Sequence, residues 1–362
     1  MKKNILVVDD SALMRRVICD IINSDETFQA IDTCRDGLDA LEKLRAKRYD
    51  GVVLDVNMPR MDGLALLEQL QKERIRATVI MVSTTTTKDA EVTMLAMERG
   101  AADLLPKAIF CVFKTAFSTP RSLPLNASPF ASITFVGFGT KSTAPRSMAS
   151  MVTSEKVVLR RNTETVRSRN KLVALACSTG GPKALQSVIP YLPKNLDAPM
   201  VLVQHMPAGF TKSMADRLNE VSDIHVKEAE DGDVLKKGTI YIAPGGKHME
   251  IKKSPDGSHK IRLNDELPPI GGLKPCADIT YDSLRTCGYD QIVCVVLTGM
   301  GADGTKGIKS LAKSKPVYVI SQNAETCVVY GMPKTIAETG LVNEVVPLTQ
   351  VAQTITKNVG VQ

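Results

Sequence analysis

Two groups of residues in this chain have the types and spacing that chemistry requires. The first centres on Ser178, in the run KLVALACSTGGP from Lys171 to Pro182. The apolar stretch Leu172 to Cys177 stops at Ser178-Thr179-Gly180-Gly181-Pro182 and a helix-like segment follows, so a serine sits on a strand-to-helix turn. Gly180 and Gly181 let the backbone approach a bound group closely, Pro182 suits a first helical turn, and amides there can face a developing negative charge. Such a turn suits a nucleophile beside an oxyanion hole. The alternative is that Ser178 only caps the helix.

A serine nucleophile needs a base, and the base needs an orienting carboxylate. Of the four histidines, His205 alone ends a buried strand (MVLVQH), on the same rim as Ser178. His225 and His259 lie in polar, hairpin-like surroundings and are expected at the surface. His248, in the Gly-rich turn APGGKH, is a weaker candidate for touching substrate. The carboxylate should end another strand, and TGMGADG supplies Asp303 just beyond the apolar run 291–299, where its alternative role is to cap the next helix. Amides near Met300 and Gly301 could also help hold an oxyanion.

The second group is acidic. Asp9 and Asp10 end the first apolar run, Asp55 the third, Ser83 the fourth and Lys107 the fifth. Carboxylates gathered by neighbouring strands repel one another unless a hard cation sits among them, and Mg²⁺ with oxygen ligands is the natural one. Asp55 could then accept a phosphoryl group, with Asp9 and Asp10 on the metal, Ser83 donating to a phosphoryl oxygen and Lys107 adding positive charge.

The elements that must position these residues are legible as two α/β units. From residue 4, strand-like and helix-like patterns alternate (ILVVDD, SALMRRVICDII, FQAIDTC, GLDALEKLRA, GVVLDV and onward to ADLLPK), predicting a doubly wound parallel sheet over 1–107 with ligands at the carboxyl ends of its strands. Residues 171–362 predict a second three-layer αβα unit. It carries an antiparallel hairpin, with TIYIAPGGKHMEIKK and HKIRLN as strands around a Ser-Pro-Asp-Gly-Ser turn. The length of 362 residues suits two such domains.

The net charge of +7 resides in the piece between them. Residues 108–170 hold 9 basic and 2 acidic side chains, against 16 and 18 before and 21 and 19 after. With no recognition-helix or base-stacking motif, nucleic-acid binding is not expected. The amino-terminal apolar run is too short for a signal peptide, no membrane insertion is expected, and the cytoplasm is the expected compartment. Eight scattered cysteines without a C-x-x-C pair read as reduced, buried thiols.

VVDDS, LDVNMPRMDG and the positions of Ser83 and Lys107 make residues 1–107 resemble a response-regulator receiver domain, a flavodoxin-like fold. The motifs ACSTGGP, QHMP and GMGADG, with a receiver ahead of them, resemble the CheB family of chemotaxis protein-glutamate methylesterases over nearly all of the chain. The resemblance implies Ser178 as nucleophile, His205 as general base and acid, Asp303 as orienting carboxylate, and Thr179 and Met300 lining the site. It implies no cofactor for the esterase. In the receiver it implies phosphorylation of Asp55 by a chemotaxis histidine kinase, with Mg²⁺ held by Asp10, Asp55 and the Asn57 carbonyl and assisted by Asp9. The implied substrates are methyl-accepting chemoreceptors, whose γ-glutamyl methyl esters are hydrolysed and whose glutamines are deamidated. An unphosphorylated receiver would cover the catalytic cleft, and the chain would be a monomer. A receiver-gated hydrolase of another ester or amide, and a non-catalytic signalling adapter, are the alternatives.

One stretch departs from the pattern. The receiver family follows its lysine with a proline and a last amphipathic helix, whereas Lys107 precedes Ala108. Residues 108–147 contain no Asp or Glu, hold six of the eight phenylalanines, and keep neither helix nor strand period. The segment reads as an out-of-frame stretch replacing the receiver's last helix, within a linker that ends at residue 170.

Overall fold

The computed structural model describes residues 2–83, 96, 99, 101, 103–106 and 170–362. The 108–147 anomaly and Lys107 lie outside these residues.

In the amino-terminal unit, β1 (Lys3–Val8), β2 (Phe28–Cys34), β3 (Gly51–Asp55), β4 (Val79–Ser83) and β5 (Asp103–Pro106) form one parallel sheet of order β2-β1-β3-β4-β5. The helices are α1 (Ala12–Asn23), α2 (Gly37–Ala46) and α3 (Gly63–Lys72). Because successive strand residues point to opposite faces, Ile5, Val7, Val53 and Ile80 pack with Val17, Ile18, Ile21 and Ile22 of α1. Leu6, Val8, Val52 and Leu54 pack on the other face with Ala40, Leu41, Leu66 and Leu67 of α2 and α3. The side chains of Ser11, Asp36 and Asp62 cap these helices by accepting from amides of their first turns. This is the flavodoxin-like order, and its switch point falls between β1 and β3, bringing Asp9 and Asp55 together.

The carboxyl-terminal unit is built on a seven-stranded parallel sheet. Its strands are β6 (Lys171–Cys177), β7 (Met200–Gln204), β8 (His225–Glu228), β9 (Thr239–Ile242), β12 (Gln291–Val296), β13 (Val317–Gln322) and β14 (Val342–Val346), in the order β14-β13-β12-β6-β7-β9-β8. A separate antiparallel pair joins β10 (His248–Lys253) to β11 (His259–Asn264). Helices α4 (Gly181–Val188), α5 (Phe210–Glu220), α6 (Ala277–Ser283), α7 (Thr305–Ala312), α8 (Met332–Ala337) and α9 (Val351–Val359) complete the layers. Val173, Leu175, Cys177, Val293 and Val295 face one core with α4, α5 and α9, and Leu172, Ala174, Ala176, Ile292 and Cys294 face another with α6, α7 and α8. A strand covered on both faces has to be apolar at every position, which is why these runs show no alternation.

Two expectations need correction. TIYI does not belong to the hairpin: it pairs in parallel with β7 and β8 in the main sheet, while β10 alone turns back onto β11. His259 is not a surface residue, because it is buried, stacked on the Tyr289 ring with centroids 4.3 Å apart, and accepts the Gly288 amide at 2.8 Å. Alternating polarity marked the hairpin correctly but did not reveal that Tyr289 closes over its end. His225 is exposed as expected, on edge strand β8.

Candidate active site

Strand β6 lies between β7 and β12, and the chain passes to one side of it before returning to the other. The crevice outside the carboxyl ends at such a reversal is where an open α/β sheet binds ligands. Ser178 follows β6, His205 follows β7 and Asp303 lies beyond β12, so the three sequence candidates converge on one rim.

His205 Nε2 lies 2.7 Å from Asp303 Oδ2. A carboxylate can only accept, so Nε2 carries the hydrogen and the neutral ring has its lone pair on Nδ1. That Nδ1 is buried and has no hydrogen-bond partner among the described residues. The usual serine triad uses the opposite ring nitrogens. Here Nδ1 is the nitrogen left to take a proton.

Asp303 is buried and nearly saturated with donors. Its Oδ2 also accepts the Ala277 amide at 2.6 Å, and Oδ1 accepts from the amides of Asp278 and Gly304, each at 2.9 Å, and from Cys276 Sγ at 3.1 Å. Burial, the largest influence, would raise its pKa, but the hydrogen bond and charge of His205 and the Ala277 and Asp278 amides together hold the carboxyl at about 2. It is therefore an anion at neutral pH.

The turn that carries Ser178 is shaped by its glycines. Gly180 adopts φ 77°, and a Cβ there would press into Val328; at Gly181 a Cβ would overlap Gln204 Oε1. The Gly181 amide donates to Ser178 O at 2.7 Å and the Ser178 amide to Thr298 O at 3.0 Å. Neither is at hand for an oxyanion, which leaves the amides of Thr179, Gly180, exposed Met300 and Gly301 as the expected donors. His248 is fully buried at the start of β10, with Nε2 3.1 Å from Pro268 O, so it does not face a substrate cleft.

Two residues absent from the sequence reading tie this rim together. Gln204, buried at the end of β7, donates from Nε2 to the carbonyls of both Ser178 and His205, each at 3.1 Å, and its Oε1 accepts from Cys177 Sγ at 3.0 Å. Thr298 Oγ1 donates to Thr179 O at 2.9 Å and accepts the amides of Val328 and Val329, while the Thr298 amide donates to Gln322 Oε1. The available signal was a glutamine and a threonine in otherwise apolar strand ends, where a polar side chain must find buried partners.

In the amino-terminal unit, Asp9, Asp10 and Asp55 each offer a carboxylate oxygen, all within 4.8 Å of one another. Asp9 and Asp55 are buried and Asp10 is exposed. The Ser11 amide donates to Asp9 Oδ1, and Arg15 spends its guanidinium on the Asp9 and Asp10 carbonyls. Three close, like-charged hard oxygens fit a divalent cation of the Mg²⁺ type. Exposed Asn57 is two residues beyond Asp55, in a loop strapped to α2: the Gly37 amide donates to Met61 O at 3.0 Å, and Arg60, at φ 64°, pairs with Asp36 and Asp39. Ser83 ends β4 beside β3, but its side chain, like Lys107, lies outside the described residues.

The seven described cysteines are free thiols, buried except for half-buried Cys19. Among the described residues no helix is long and apolar enough to cross a membrane.

Comparison with known proteins places these units. Residues 173–355 match the family CheB methylesterase, and residues 5–110 match the response regulator receiver domain. A protein-glutamate methylesterase/protein-glutamine glutaminase of Geobacillus kaustophilus is 42% identical over 98% of this chain and 98% of its own length. One of Bacillus subtilis with the same name is 39% identical over 97% of each. The crystal structure of the Thermotoga maritima CheB methylesterase catalytic domain is 43% identical, covering 52% of this chain and 98% of that one, with a TM-score of 0.49. A match over half of the chain, together with relatives about 40% identical along nearly their whole length, leads to one conclusion: the chain belongs to the CheB methylesterase family.

Proposed function

We propose that residues 171–362 form a catalytic domain that hydrolyses γ-glutamyl methyl esters of methyl-accepting chemoreceptors and deamidates receptor glutamines, under control of a receiver at 1–107. The observation that carries this reading is the His205–Asp303 pair, with Nε2 bound to the carboxylate and Nδ1 buried and unpartnered among the described residues, on the strand end next to Ser178.

In this reading His205 Nδ1 takes the Ser178 Oγ proton as Oγ attacks the ester carbonyl. Asp303 keeps the ring in the Nε2–H tautomer and stabilises the imidazolium. Amides of Thr179, Gly180, Met300 and Gly301 are the donors for the oxyanion. Nδ1–H then protonates the departing methoxide, methanol leaves, and an acyl-enzyme remains on Ser178. Water, deprotonated by Nδ1, attacks that ester; the glutamate carboxylate departs and Oγ recovers its proton. With a glutamine substrate the same steps release ammonia.

Asp55 is the phosphoryl acceptor and the chemotaxis histidine kinase its donor. Mg²⁺ would be held by Asp10, Asp55 and the Asn57 carbonyl, with Asp9 beside them, and supplies positive charge against the phosphoryl oxygens. Ser83 donates to a phosphoryl oxygen and Lys107 adds a cation. The unphosphorylated receiver restrains the esterase, and phosphorylation releases it. The linker spans 108–170, its anomalous part being 108–147, and the protein acts as a monomer in the cytoplasm.

Methanol release from methylated receptor, with and without a small-molecule phosphodonor and Mg²⁺, tests the proposal. Stimulated release is expected. Hydrolysis of a small ester with none from receptor would point instead to a different ester or amide substrate, and no hydrolysis of either to an adapter role.

A further inference from the structure

Asp303 is held by five donors, of which three are backbone amides and two are side chains: His205, its catalytic partner, and Cys276. We infer that Cys276 is a positioning residue for the hydrolysis, its thiol fixing the plane of the Asp303 carboxylate so that Oδ2 lies in line with His205 Nε2. This rests on the reading of Ser178, His205 and Asp303 given above.

The geometry makes the thiol a side-chain donor that joins two backbone amides on Oδ1. The Ala277 amide binds the same oxygen as His205, and the Asp278 and Gly304 amides bind Oδ1 from α6 and from the residue after Asp303 itself. Rotation of the carboxylate about its Cβ–Cγ bond would exchange the two oxygens and swing the His205 acceptor away. Sγ, 3.1 Å from Oδ1, adds a third hold to the two amides at 2.9 Å on the oxygen remote from the histidine, and comes to it from a side chain. Both groups are buried, Cys276 being 2% and Asp303 8% exposed, so no solvent competes for that lone pair. Burial first, and then the charge of Asp303, push the thiol up to about 12, which keeps it an S–H donor throughout the working range. A protonated thiol is a weak donor, so its contribution lies in direction more than in strength.

The test uses the full chain with methylated receptor as substrate. Cys276→Ser keeps a donor and Cys276→Ala removes it; Cys276→Val removes the donor while filling the space, and carries the prediction should the alanine variant fail to fold. The donor-less variants should lose roughly 3- to 10-fold in kcat with KM unchanged, and the downfield proton resonance of the His205 ring N–H should shift or broaden. Cys276→Ser should keep the resonance and stay within about twofold of the parent rate. An unchanged kcat and resonance in Cys276→Val, or equal losses in the serine and valine variants, would overturn the inference. Ser178→Ala is measured alongside: full activity there would strike the underlying triad instead, whereas its inactivity upholds the triad and lets the serine and valine variants decide the role of Cys276.

Discussion

Among the described residues, two clusters of acidic and thiol groups bring their ligand-type atoms within 4.8 Å of one another: Asp9, Asp10 and Asp55 in the amino-terminal unit, and Cys276, Asp278 and Asp303 in the carboxyl-terminal one. Proximity alone would mark both as cation sites. They differ in what surrounds the oxygens. Asp303 accepts from three amides, an imidazole and a thiol, and Asp278 accepts the Gly307 amide at 2.7 Å, so this cluster is held by N–H and S–H donors. In the amino-terminal cluster the Ser11 amide donates to Asp9 Oδ1, and the Arg15 guanidinium is bound to the backbone carbonyls of Asp9 and Asp10. A carboxylate fixed by many N–H donors serves as an anion beside its partner, whereas three carboxylate oxygens gathered at a strand end suit a divalent cation.

That contrast can be broken most forcefully in the esterase. Because nucleophile and base act as a unit, Ser178→Ala and His205→Ala should each lower methanol release by on the order of 10⁵- to 10⁶-fold, and Asp303→Asn by on the order of 10⁴-fold. Near-normal turnover in any of them would dissolve the proposed triad. On the receiver side, Asp55→Asn should abolish all stimulation by phosphodonor, and EDTA should do the same to the parent protein; equal stimulation of mutant and parent would remove Asp55 from the switch.

A smaller effect tests how the rim is held. Gly181→Ala drives a methyl into Gln204 Oε1, whose amide anchors the Ser178 and His205 loops, and should cost on the order of 10- to 100-fold in kcat by misplacing the nucleophile. A crystal structure of that variant with an unmoved Gln204, or parental kinetics, would show the packing to be softer than described.

The smallest expected effect is on stability. Asp303 has a native pKa of about 2, below its ordinary value of 3.8. A depressed carboxyl stabilises the fold fully above its unfolded pKa and ceases to do so as the pH falls through 3.8 toward about 2. The loss should be on the order of 2 kcal/mol, read as a fall in unfolding midpoint of the carboxyl-terminal unit that is shallower in Asp303→Asn. If the two acid profiles coincide, Asp303 is not held as a donor-saturated anion.

Both parallel sheets were legible in sequence because strands covered on two faces must be apolar throughout, and chemistry at their ends must then interrupt the run with a polar residue. Asp9, Asp55, Ser178, His205 and Asp303 stand out in the sequence in that way, and the fold sets each at or beyond the carboxyl end of a parallel strand. What composition and spacing could not supply was orientation. Whether His205 meets its carboxylate through Nε2 or Nδ1 depends on where α6 and the loop after β12 are brought together by packing, and Cys276, 27 residues from Asp303 in the chain, enters the site only through that packing. Gln204 and Thr298 were hidden for a related reason: their partners are backbone atoms of neighbouring loops, which carry no sequence signature. The burial of His259 likewise awaited Tyr289, which arrives from a distant loop. Local periodicity follows from which side of an element is dry and is written residue by residue; the choice of a ring nitrogen or a carboxylate plane is made by contacts between segments far apart in the chain, and only the folded sheet brings those segments together.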